Sequence, residues 1–279
     1  MTKTVAQAML AKVYAEKEVQ DYDKVIAYAD KVMKTTGVEL EDSYETLWGY
    51  DETAKDCMKR NTKEGILEVH WTTGSGNWET WMYGRQLDNW DYYFTWAKWI
   101  TPSRDIINDF DKEGDEVRKN QAIVYYACTW SNYYPSSNYP FMYKLRSSYN
   151  NIYWLRLADI ILMKAEAEAY KGNLAESAKL VNQIRKRAKL KELTSDKTGS
   201  KESMIEAVLH ERRLELAFEG ERWFDLCRNN KVEQYLNGID NRDSGRIRQV
   251  RQFDSNSYLL PIPQTALDQN TNLEQNPGY

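Results

Sequence analysis

The stretch Leu155-Arg156-Leu157-Ala158-Asp159-Ile160-Ile161-Leu162-Met163-Lys164-Ala165-Glu166-Ala167 decides the fold class of this chain. Leu155, Ala158, Leu162, Ala165 and Ala169 recur at three- and four-residue intervals, the spacing of one helix face. Gly172 then offers the left-handed conformation that closes a helix. Asn173, with Glu176 three residues on, is spaced as a capping box for a second helix, whose apolar face is Leu174, Ala178, Val181 and Ala188. A junction this short lays the two helices antiparallel. The chain start repeats the arrangement. Val5, Ala8, Met9 and Val13 fall on one helical face, Tyr22, Ile26, Ala29 and Met33 on the next, and Asp21 is placed to cap the second helix. Small residues let such helices approach closely. The pairs at 1–36 and 152–189 read either as ordinary helical hairpins or as degenerate tetratricopeptide-like repeats of about 34 residues.

A chain of 279 residues is long enough for a sizeable core in one or two domains. Its net charge of −4 argues against a nucleic-acid binder, which carries a basic face. Cys57, Cys128 and Cys227 are too few and too scattered for a disulfide framework, and no CxxC pair suggests a zinc cage. No window approaches 18 consecutive apolar residues, and the first eight residues show neither an apolar export segment nor a lipobox cysteine. Aromatic usage stands out, with ten tryptophans and twenty tyrosines, side chains that suit binding surfaces in contact with water.

Most of the tryptophans crowd between Trp71 and Trp99. Ile66 to Trp71 alternates as a short strand, and residues 72–77 form a Gly- and Ser-containing loop. Trp78, Trp81, Tyr83, Trp90, Tyr92 and Trp96 then alternate with Asn77, Arg85, Asp88 and Asn89. A sugar ring has an apolar C–H face that stacks on an aromatic plane and a hydroxyl edge that amides, carboxylates and guanidiniums satisfy. These ten residues are the candidate ligand site, with weak, avidity-aided binding expected. The competing reading makes the rings core. Trp96 and Trp99 are three apart ahead of Ile100, and Trp71 is expected to point inward from its strand. Trp78, Trp81 and Trp90 fit the ligand reading best, because their neighbours mark loops. The segment from Trp130 to Pro135 is a lesser second candidate.

The arrangements that would suggest catalysis read as structure. Glu211, Glu215 and Glu219 repeat every four residues, so they are expected on one helix face, with Arg212, Arg213 and Arg222 to neutralise them and Arg222–Asp225 as an i,i+3 pair. A glycosidase needs two carboxylates across a cleft of about 5–10 Å, one with a raised pKa. Arginines lower carboxylate pKa values instead. His70 and His210 are the only histidines, and no GxSxG, HExxH or phosphate-binding loop occurs. Asp109 to Asn120 brushes against a calcium-loop pattern but has Asn120 where the bidentate Glu belongs. No metal or cofactor is expected. The Arg242, Arg246, Arg248 and Arg251 run is a solvated surface, and Pro261-Ile262-Pro263 is extended at an edge or on the surface.

Four blocks occur in fixed order: the stretch from Leu155, the run Glu211-Arg212-Arg213-Leu214-Glu215-Leu216-Ala217-Phe218-Glu219-Gly220-Glu221-Arg222-Trp223-Phe224-Asp225-Leu226, Leu260-Pro261-Ile262-Pro263, and the closing Gln275-Asn276-Pro277-Gly278-Tyr279. Together they resemble the SusD/RagB family of outer-membrane nutrient-binding lipoproteins. The resemblance is strong over residues 100–279 and moderate over 1–50. Gly114-Asp115-Glu116-Val117-Arg118 also looks like a family segment with an Asp–Arg turn. The implied fold is mainly α, with TPR-like helical hairpins, few short strands and a loop-rich aromatic ligand-binding region. On that reading residues 1–50 are a TPR-like hairpin from a partial N-terminal region and residues 51–279 the family's C-terminal domain. That domain divides into an aromatic loop region at 65–150, a helical region at 151–236 and an irregular tail at 237–279. The chain resembles a family member lacking its export signal, lipidated cysteine and first helices. The implied function is non-catalytic oligosaccharide or polysaccharide binding at the Bacteroidota cell surface, for uptake through a SusC-like, TonB-dependent transporter. Peptide binding, as in RagB-like members, and a TPR-like protein scaffold are the alternatives.

Overall fold

A computed structural model describes residues 2–71, 78–85, 87, 100–131, 133–246, 249 and 251–279. Its first elements are helices α1 (Lys3–Ala15), α2 (Tyr22–Met33) and α3 (Glu45–Trp48), strands β1 (Tyr50–Asp51), β2 (Asp56–Cys57) and β3 (Gly65–Val69), and the single-turn helix α4 (Trp78–Tyr83). Helices α5 (Arg104–Glu113) and α6 (Glu116–Ala122) precede strands β4 (Ile123–Tyr126), β5 (Tyr139–Met142) and β6 (Ile152–Arg156). Then come α7 (Leu157–Tyr170), α8 (Leu174–Arg187), α9 (Ser195–Thr198), α10 (Lys201–Glu215), α11 (Arg222–Arg228), α12 (Val232–Leu236) and α13 (Gln264–Gln269). Contacts gather the chain into two units, Met1–Arg222 and Trp223–Tyr279.

In the first unit α1 packs on α2, α2 on α7 and α7 on α8, with α10 laid against both α7 and α8. The two hairpins expected from sequence are therefore neighbours in one stack. Their apolar faces differ from the expected ones. In α1 the buried positions are Val5, Ala8, Ala11 and Ala15, while Met9 and Val13 are exposed. In α2 they are Val25, Ala29 and Val32, with Tyr22, Ile26 and Met33 only half-buried. Alanine turns inward because the short distance between close-packed helices leaves no room for longer side chains. Asp21 caps α2 as expected, accepting from the Lys24 amide at 3.1 Å.

Helix α7 is surrounded, so it has no single apolar face: Leu157 through Ala169 are all buried. Leu155, expected on this helix, lies on β6 instead. Lys171 and Gly172 (φ +83°) close α7. Asn173 does begin α8, but without a capping box: its side-chain amide donates to Glu168 at 2.7 Å, and Glu176 faces Lys179 at 3.3 Å. The core joins Val5, Ala29, Ile160, Leu162, Ile184, Val208 and their neighbours.

Strand β3 pairs antiparallel with β6 through a bulge, and every residue of β3 is half-buried rather than alternating. Trp71 lies beyond its end. Strand β4 pairs antiparallel with β5, and β1 with β2. Ser103 caps α5 and Gly114 (φ +66°) closes it, so Asp109 and Asp111 sit on a helix and not in a calcium loop. Arg213 and Lys119 pair with them. In the second unit Trp223 tilts against Phe253, Asp225 accepts from Arg228 at 2.7 Å, and Gln275 bonds both backbone groups of Ile262, holding the extended Pro261–Pro263 segment. Among the described residues no helix is long and apolar enough to cross a membrane.

Candidate functional site

Trp78 and Trp81 stand three apart on α4 and therefore on one side of it. Their rings meet edge to face, with centroids 4.6 Å apart and planes at 86°. Trp78 is 65% exposed, an open indole on an ordered turn, whereas Trp81 is half-buried beneath it. The loop expected here is a helix, which fixes the two rings relative to each other. Glu79 lies beside Trp78, and burial pushes its carboxyl above the ordinary value. Tyr83 is half-buried. Arg85 is buried, its guanidinium 4.3 Å from the centre of the Tyr126 ring, and burial lowers its pKa. Of the ten expected ligand residues these four are described; Asn77, Asp88, Asn89, Trp90, Tyr92 and Trp96 lie outside the described residues.

The turn under the two indoles is joined to the chain sixty residues on. Thr80 is fully buried and its hydroxyl donates to the Ser147 carbonyl at 2.8 Å. The amides of Arg85 and Leu87 donate to the carbonyls of Leu145 and Arg146 at 3.0 and 2.8 Å. Sequence reading missed Thr80, Ser147 and Asn150, because a small polar residue inside an aromatic run carries no mark of a contact so distant.

The second aromatic segment is packed inward. Trp130 meets Tyr139 edge to face at 4.8 Å, Tyr134 donates to the Pro102 carbonyl, and the Arg104 guanidinium lies 4.4 and 4.1 Å from the rings of Tyr133 and Tyr134. Asn132 lies outside the described residues.

The acidic run behaves differently from its spacing. Glu211 and Glu215 are on α10, but Glu219 is beyond the helix end, where Phe218 (φ +66°) and Gly220 (φ +87°) turn the chain. All three still converge on arginines. Arg156 contacts Glu64 at 2.8 Å, Glu215 at 2.6 Å and Glu219 at 2.6 Å. Arg118 contacts Asp115, Glu211 and Glu215, and Arg187 contacts Glu64 and Glu215. Arg185 binds Glu211 at 2.9 Å, and Lys144 binds Glu219. Arg212 binds Asp159 at 2.7 Å, and Lys12 joins Asp159 to Glu221. Arg222 donates to the Leu209 carbonyl at 3.0 Å.

Burial alone would raise Glu215, yet Arg187, Arg156 and Arg118 outweigh it and hold that carboxyl below the ordinary range. Asp159 is lowered in the same way, burial being overcome by Lys12 and Arg212. Burial drives the Lys144 ammonium down to about 8 against the pull of Glu219. Glu215 and Asp159 are thus held ionised by their cations. They lack the raised pKa a general acid needs at neutral pH.

The sequence model for the SusD family matches residues 63–279. The chain belongs to the SusD family. SusD-like protein P38 of Formosa agariphila is 36% identical over 135 residues, 46% of this chain and 25% of its own length. SusD-like protein P2 of the same organism is 32% identical over 144 residues, 48% of this chain and 27% of its own. A SusD homolog from Bacteroides thetaiotaomicron superposes with a TM-score of 0.77 at 19% identity, over all of this chain and 64% of that one. A laminarin-binding SusD-like protein superposes at 0.70 with 23% identity, over all of this chain and 63% of its own. Surface glycan-binding protein A from Bacteroides thetaiotaomicron does so at 0.71 with 17% identity, over 99% and 64%. The alignments to the curated relatives thus span about a quarter of their length, and the chain under two thirds of the solved ones. Its architecture is the mainly helical SusD fold, with few short strands.

Proposed function

We propose that this SusD-family chain is the glycan-binding part of a cell-surface uptake protein. It takes up oligosaccharide without altering it and passes it to a SusC-like, TonB-dependent transporter, held at the outer membrane by a lipid anchor. The observation that carries the reading is the Trp78–Trp81 pair: an indole 65% exposed, backed edge-on by a second ring. An open indole held edge-on by a second ring offers a flat apolar face, and a sugar's C–H face is a fitting partner. Laminarin-binding and surface glycan-binding proteins of the same fold support the assignment. Tyr83, Arg85, Trp90, Tyr92, Trp96, Asn77, Asp88 and Asn89 complete the proposed site, with Asn77, Asp88 and Asn89 meeting hydroxyls. The non-catalytic role draws support from Glu211, Glu215 and Glu219, each committed to buried cations.

Affinity gels containing laminarin and a panel of other neutral and acidic polysaccharides test this directly. Retardation is expected in at least one gel, and Trp78→Ala/Trp81→Ala should weaken it about tenfold or more. Retardation untouched by the double substitution moves the site elsewhere. A folded protein retarded by none of the gels would turn the reading toward peptide capture or a protein scaffold.

A further inference from the structure

Helix α4 has six residues, too few to hold itself together in water. Something else must fix where its two indoles stand. We propose that Thr80 and Gly84 are positioning residues that dock this turn onto the 142–150 segment and thereby set the Trp78–Trp81 platform; the inference rests on reading that pair as the sugar-stacking surface.

Thr80 lies between the two tryptophans in sequence and has no exposed surface. Its hydroxyl donates to the Ser147 carbonyl at 2.8 Å and lies 3.2 Å from Asn150 Oδ1. The receiving turn is itself closed by Asn150. The Oδ1 atom of Asn150 accepts from the amides of Arg146 and Ser147 at 3.2 and 3.1 Å, and its amide donates to the Asn151 carbonyl at 2.9 Å. A rigid acceptor therefore meets a buried donor, and an unmet buried hydroxyl would be costly.

Gly84 ends the turn with a close backbone approach. Its amide donates to the Thr80 carbonyl at 2.9 Å, and it bridges Met142 in parallel register. A Cβ placed there would stand 2.0 Å from the Leu145 carbonyl oxygen and 2.7 Å from Leu145 Cβ. The oxygen belongs to the backbone that also receives the Arg85 amide, so it cannot step aside without breaking that bond. Any side chain at 84 would push the turn, and the indoles with it, off the segment beneath. The two anchors lie on either side of Trp81, so they fix both the height and the rotation of the rings.

The test uses the full chain labelled with 5-fluorotryptophan, the two resonances being assigned through Trp78→Phe and Trp81→Phe. Thr80→Val keeps the shape and removes the hydroxyl, Thr80→Ser keeps the hydroxyl, and Gly84→Ala adds the forbidden Cβ. Thr80→Val and Gly84→Ala should each move both fluorine resonances, and each should weaken retardation in laminarin gels about tenfold. Thr80→Ser should restore both signals toward wild type. Ile184→Val, a loss of one methylene in the remote helical core, should lower the unfolding midpoint without moving either resonance. Unmoved resonances in Thr80→Val and Gly84→Ala overturn the proposal. Moved resonances in a protein whose wild type ignores laminarin support the positioning role and count against laminarin as the sugar.

Discussion

Glu215 has no exposed surface and meets three guanidiniums, those of Arg118, Arg156 and Arg187. Removing its charge leaves three buried cations sharing fewer carboxylates, those of Asp115, Glu64, Glu211 and Glu219, so Glu215→Gln should cost about 3–5 kcal/mol of stability in urea unfolding. A loss near zero would mean that Glu64, Glu211 and Glu219 neutralise the cluster unaided. Glu113 offers a pH test. The hydrogen bond from His210 lowers its carboxyl most, burial opposes, and Arg185 adds to the lowering, leaving it at about 2. A carboxyl lowered on folding stabilises above its unfolded value of about 4.3 and loses that stabilisation as the pH falls toward the folded value. The thermal midpoint should therefore decline from about pH 4 to pH 2, with a shallower slope in Glu113→Gln; partial exposure keeps the effect small. Spacing put Arg212, Arg213 and Arg222 beside these glutamates, whereas the structure meets them with Arg118, Arg156, Arg185 and Arg187, which come from distant segments. Glu219 finds Arg156 and Lys144, 63 and 75 positions away, and Asp225 pairs with Arg228.

Helix ends and helix faces differ in how local their causes are. Asp21 and Gly172 act within one turn, and each ends or begins its helix as the sequence suggests. Gly172→Ala, at φ +83°, should cost about 1–3 kcal/mol. The face of α1 was read only in part, Val5 and Ala8 correctly, because Ala11 and Ala15 carry little apolar weight in a pattern. They are inside because α2 comes close. Ala8→Leu should accordingly destabilise by about 1–3 kcal/mol through overpacking, while Met9→Gln on the exposed side should change the unfolding midpoint little. Equal effects at the two positions would contradict this assignment of faces.

Helix α7 organises the first unit, contacted by α1, α2, α8 and α10. Its buried charges are partnered, Asp159 with Arg212 and Lys164 with Asp30 at 2.7 Å. Hydrogen exchange should find the α7 amides among the last to exchange and those of α4 much earlier, with α4 gaining protection when a glycan binds. Fast exchange through α7 would refute its central place. The SusD family was legible at this scale because four blocks recur in order along the chain, a pattern independent of any contact.

By itself the sequence determined the helical class, the two hairpins, the caps at Asp21 and Gly172 and the family, since periodicity, cap chemistry and ordered motifs are properties of neighbouring residues. It also located the aromatic run that holds Trp78 and Trp81. Only the tertiary structure decided that Glu219 leaves the α10 face, that alanines line the α1–α2 contact, and that Trp78 is open while Trp81 supports it. The reason is the same in each case. Burial and pairing depend on which distant segments arrive, and the docking of the α4 turn on Ser147 and Leu145 is written in residues sixty or more positions apart.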